Sequence, residues 1–74
     1  MNLIPLNFGF KIGGIIDDEK VIVFEVMALT GFEQNFDRLY AACIHESGEI
    51  RIHRLKKIKL KEDSIKAIMS RYSP

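Results

Sequence analysis

The sequence predicts a small, mainly β domain of about five antiparallel strands with one C-terminal helix. Three observations predict it. The middle of the chain, "KVIVFEVMAL" at Lys20–Leu29, is dense in β-branched and aromatic residues, which favour strands. Two further apolar runs flank "HESGE", a hairpin turn signal ending at Glu49. The last segment changes period: Ile65, Ile68, Met69 and Tyr72 fall at i, i+3, i+4 and i+7, the stripe of an amphipathic helix.

The elements follow in order. The first sixteen residues are apolar but broken by Pro5, Gly9 and the Gly13-Gly14 pair. They read as an irregular lead-in and a strand near Phe8–Ile16, with glycines permitting bends or bulges. Asp17-Asp18-Glu19 reads as a polar turn. The strand Lys20–Leu29 would place Ile22, Phe24, Val26 and Ala28 on one face. Val21, Val23, Glu25, Met27 and Leu29 would lie on the other. Both faces are largely apolar, as in a central strand. Thr30–Asp37 is a loop by composition, with Phe32 and Phe36 expected to tuck onto the core.

Arg38–His45 and Glu49–Leu55 form the predicted hairpin. A three-residue loop, Glu46-Ser47-Gly48, with Gly48 left-handed, pairs Ile44 with Ile50, Ala42 with Ile52 and Leu39 with Leu55. A two-residue loop would instead face Ile44 with Arg51, so the first register is favoured. The expected inner face is Tyr40, Ala42, Ile44, Ile50 and Ile52. The expected outer face is Ala41, Cys43, His45, Glu49, Arg51 and His53. After Leu55 a short last strand carries Ile58 and Leu60 on one side and Lys57, Lys59 and Lys61 on the other. The helix spans Glu62–Tyr72, with Glu62 and Asp63 at its N-terminus and Arg71 near its C-terminus, matching the helix dipole.

The segment "LYAACIHESGEIRIHRLKKIKL", Leu39–Leu60, is similar to the terminal hairpin, 3₁₀ turn and closing strand of small SH3-like barrels, including phage-encoded members. The resemblance implies a barrel over about residues 6–60, followed by the helix at about 62–72, in a single domain over 1–74. It also implies a binding role, such as that of an accessory or inhibitory protein of a phage or mobile element. The alternative architecture is an open antiparallel sheet with the helix packed on one face.

A chain of 74 residues buries a marginal core. Its single cysteine, Cys43, excludes an intrachain disulfide and suits a reducing, cytoplasmic compartment. No signal peptide or membrane-length apolar run is visible. The net charge of +1 hides a division. Residues 1–49 hold three basic and eight acidic residues, a net −5, and residues 50–74 hold eight basic and two acidic, a net +6. Such asymmetry points to an electrostatic partner.

Catalytic readings are weak. Cys43, His45, Arg51 and His53 share a face, and a Cys/His pair can activate a thiolate or bind zinc, but the spacing is not diagnostic. "GFKIGG" at Gly9–Gly14 does not match a phosphate-binding loop. Glu25, among apolar neighbours, has no visible partner for acid–base work. The expectation is a non-enzymatic module without cofactor or metal. Its partner-binding residues would be Arg51, Arg54, Lys57, Lys59 and Lys61, facing an acidic protein surface or, alternatively, nucleic acid directly. Surplus apolar residues, Phe32, Phe36, Ile65, Ile68 and Met69, would form the contact of a homodimer.

Overall fold

A computed structural model of the protein describes residues 2–6, 9, 11–32 and 35–70. The described residues form five antiparallel strands and one C-terminal helix: β1 Leu3–Pro5, β2 Ile12–Ile16, β3 Glu19–Leu29, β4 Leu39–His45, β5 Ile50–Arg54 and α1 Glu62–Ser70. The sheet is open. The long β3 is its spine, pairing β1 and β2 along one edge and β4 along the other, with β5 beyond β4. Phe8, Arg71 and Tyr72, used in the sequence reading, lie outside the described residues.

The β2–β3 turn has two residues, Asp17 and Asp18, both with positive φ (49° and 63°). That is the backbone of a type I′ turn, whose twist matches the flanking strands. Glu19 is therefore not a turn residue; it opens β3 opposite Ile16. The β4–β5 register is the expected one, with Ile44 facing Ile50, Ala42 facing Ile52 and Cys43 facing Arg51. Gly48 has φ 88°, and its N–H donates to the His45 carbonyl at 2.8 Å.

The faces differ from expectation in two places, each for a local reason. In β3 the pairing with β4 shifts between Val23 and Glu25, so Phe24 is an extra residue in a bulge. The bulge reverses the alternation. Val21, Val23, Val26 and Ala28 are all buried on one face, which no uninterrupted strand allows. In the hairpin, the buried face is Leu39, Ala41, Cys43 and His45, the face expected to be outside. Ile50 and Ile52, expected inside, are 61% and 57% exposed. Among the described residues the core lies on one face of the sheet, and Gly14 helps to fix which. A Cβ there would stand 2.6 Å from Ile58 Cγ2 and 3.0 Å from Leu60 Cδ2. Glycine lets the returning chain lie on the face that carries Gly14, Val21 and Cys43.

The return differs too. After β5 a 3₁₀ turn, Leu55–Lys57, buries Leu55. In place of a last strand there is a single antiparallel bridge between Lys59 and Ile15, held by two backbone hydrogen bonds of 2.7 and 3.0 Å. Helix α1 then drops Ile68 into the core, where it is fully buried with Leu39, Leu55, Val23 and Val26. Ile68 is thus committed to the chain's own interior and is not free for an oligomer contact. Phe36 and Met69 also pack against this core. Phe32 is exposed, with the Arg38 guanidinium 5.2 Å from its ring centre, and Ile65 is half-buried.

Candidate functional site

The uncovered face of the sheet can be read row by row from the strand pairing. Gly13 faces Ile22, Ile22 faces Ile44 and Ile44 faces Ile50. The next row begins at Lys59, which faces Ile15, which in turn faces Lys20. Isoleucines therefore run across the sheet, with lysines at the β2 side. Here the surface is concave. A cavity of about 710 Å³ opens between the sheet and the returning chain. Gly13, Ile15, Ile22 and Ile44 line it, together with Lys11, Lys20, Lys59 and Lys61. Ser64 and Glu46 complete the polar rim. Glu46 is the one acid in the lining and is turned back on the fold, accepting from the Lys20 backbone N–H at 3.4 Å.

This arrangement can hold an elongated ligand with apolar groups in the middle and negative charge towards Lys59 and Lys61. An ammonium group on a flexible stem suits carboxylates and phosphates alike as a point charge. Bases, however, need exposed planar surfaces to stack on, and the lining contains no Phe, Tyr or Trp; its one imidazole, His45, is only 5% exposed.

The five basic residues expected to bind the partner do not form one stripe. A stripe required β5 and the 57–61 segment to be neighbours, whereas Lys59 bridges to β2. Lys59 and Lys61 line the cavity, and Lys57 lies in the 3₁₀ turn. Arg51 points to the other face, where its guanidinium donates to Glu49 at 2.7 Å. Arg54 lies over the Tyr40 ring, 6.0 Å from its centre. Lys11 and Lys20, at the far end of the sequence from the basic run, were hidden from a reading based on local charge density.

The second polar constellation lies on the covered face. His45 is only 5% exposed. Its Nδ1 is 2.9 Å from Glu19 Oε1, and its Nε2 is 2.9 Å from His53 Nε2. A carboxylate can only accept, so the His45 Nδ1 carries the proton. The Nε2–Nε2 contact has room for one proton, so one ring donates and the other accepts. Burial is the largest cause holding the His53 pKa below its usual value, with the charges of His45 and Arg51 adding to it. Sequence reading saw both histidines but missed Glu19, because three acidic residues in a row look like a solvated turn.

Cys43 does not extend this hydrogen-bonded set as a nucleophile. Cys43 is fully buried, and its thiol is 3.8 Å from the Ala41 carbonyl oxygen. Burial pushes its pKa up to about 11, so it remains protonated at neutral pH. Glu25 sits beside the β3 bulge, opposite Ala42. Among the described residues, no three His, Cys, Asp or Glu side chains converge as metal ligands, and no helix is long and apolar enough to cross a membrane. Comparison with family models, curated proteins and solved structures finds no match to this chain.

Proposed function

We propose that the protein is a non-catalytic binding module that takes an acidic protein partner, stoichiometrically, in the concavity of its uncovered sheet face. One observation carries the reading: Lys11, Lys20, Lys59 and Lys61, far apart in sequence, converge around Gly13, Ile15, Ile22 and Ile44. Like charges held together repel, which costs stability unless a negative partner offsets it. Apolar surface left open beneath them marks a contact rather than a solvated wall. The want of a stacking platform favours protein over nucleic acid. The meander β2–β5 and the Lys59–Ile15 return support a small-barrel reading of the scaffold, in keeping with a binding role.

Fluorescence anisotropy tests this with two labelled probes, an acidic amphipathic peptide and a mixed-sequence single-stranded oligonucleotide. The peptide should bind, with an affinity that falls as salt screens the lysines. The double reversal Lys59→Glu/Lys61→Glu should weaken it, mainly by slowing association, while the protein stays folded. Tighter binding of the oligonucleotide, with a steep salt slope, would replace this reading with direct nucleic-acid binding.

A further inference from the structure

The edge strand β5 offers a surface separate from the concavity. The hydrogen bond from His45 N–H to the Glu49 carbonyl, 2.9 Å, sets the phase of the β4–β5 ladder. Hydrogen-bonded pairs recur at every second residue of an antiparallel ladder. With the observed register, Cys43/Arg51 and Ala41/His53 are the bonded pairs. The backbone N–H and C=O groups of Ile50, Ile52 and Arg54 consequently point away from β4. No other described strand pairs with them. The same edge carries the two most exposed large hydrophobic residues among those described, Ile50 and Ile52.

We infer that β5 is a strand-addition site for an extended acidic segment of a partner protein, one that alternates apolar and acidic residues. The edge supplies main-chain hydrogen bonds, and its side chains choose the sequence. On the isoleucine face, an added strand needs apolar residues beside Ile50 and Ile52. On the opposite face a carboxylate suits Arg51, and a further one suits Arg54 at the end of the strand, on the isoleucine face beside Tyr40. Charge also decides against a second copy of this chain. Pairing β5 with itself would gather Arg51 and Arg54 of both copies, with Lys56 and Lys57 following. Like charges on paired strands are destabilising. The acid nearest in sequence, Glu49, is already engaged by Arg51. Basic residues on an open edge thus repel their own kind and admit an acidic strand. The inference stands on the edge's own geometry and does not need the concavity to be a binding site.

Amide hydrogen exchange followed by NMR tests it, using a synthetic peptide of alternating valine and glutamate. In the free protein, the amides of Arg51 and His53 should be protected and those of Ile50, Ile52 and Arg54 should exchange rapidly. The peptide should slow exchange at Ile50 and Ile52. Ile50→Lys/Ile52→Lys should weaken peptide binding at least about tenfold, through lost apolar contact and added bulk at the edge. Ile52→Pro, which removes an outward N–H that the fold does not use, should do the same. Lys59→Glu/Lys61→Glu should leave the edge protection in place, which separates this site from the concavity. Unchanged exchange at Ile50 and Ile52 in saturating peptide would overturn the inference. So would protection of these amides without peptide, together with a dimer by sedimentation, since a second copy would then be the occupant.

Discussion

Position 48 shows how far one residue can set a register. With φ 88°, the backbone there favours glycine, since a Cβ in this region meets its own carbonyl. The space around it is open, so a substitution would act through backbone strain alone. Gly48→Ala is expected to lower stability by about 1 kcal/mol, measured by urea denaturation, with the hairpin pairing retained. His53 acts through its proton. Its folded-state pKa lies below the usual 6.5, so the unfolded chain takes up a proton first as pH falls. The stability associated with the neutral ring is complete above about pH 6.5 and is lost as pH falls through the lower folded-state value. Thermal melts from pH 7.5 to 5 should show a falling Tm. His53→Gln, which cannot titrate, should flatten that dependence, and an unchanged slope would remove His53 as its source.

At the scale of elements, the bulge in β3 and the return after β5 decide what the sheet covers. The extra residue Phe24 lets Val21 and Val23 share a buried face with Val26 and Ala28. The return is seated on Gly14, where an added methyl would meet Ile58, Leu60 and, at 3.3 Å, the Lys59 carbonyl oxygen. Gly14→Ala should cost about 1–3 kcal/mol, as overpacking does, and should loosen the Lys59–Ile15 bridge. Faster exchange of the Ile15 and Lys59 amides would register that loosening. Helix α1 is short, and Ile68 is its one fully buried residue. Ile68→Ala should cost about 2–5 kcal/mol by leaving a cavity beneath the helix.

The whole molecule turns an uneven charge distribution into an uneven surface. The cavity's four lysines and the two arginines of β5 are exposed on a chain whose net charge is only +1. Lys61→Gln should raise stability slightly at low salt, by about 0.5 kcal/mol, because it relieves repulsion among exposed charges. The same substitution should weaken binding of the acidic peptide. Gain in stability with loss of binding is the pattern of a surface kept for a partner. Loss of both, by denaturation and anisotropy on the same sample, would show instead that Lys61 supports the fold.

The sequence by itself determined the mainly β class, the long central strand, the hairpin with its register, and the C-terminal helix. These are local or pairwise matters: β-branched density fixed β3, helical spacing marked α1, and the Glu46-Ser47-Gly48 loop set the pairing of Ile44 with Ile50. Only the tertiary structure decided which face of the hairpin lies inside. Period-two alternation gives two candidate faces, and the more apolar one, bearing Ile50 and Ile52, lost. The covered side is where Gly14 admits the returning chain and where Leu55 and Ile68 fill the interior. The candidate site was legible only in part for the same reason. Lys59 and Lys61 stood out within the basic run, but Lys11, Lys20 and the isoleucine floor joined them through strand pairing, a long-range geometry that charge density along the chain does not contain. Glu19 reached His45 in the same way, across 26 residues, because a two-residue turn made it the first residue of a strand.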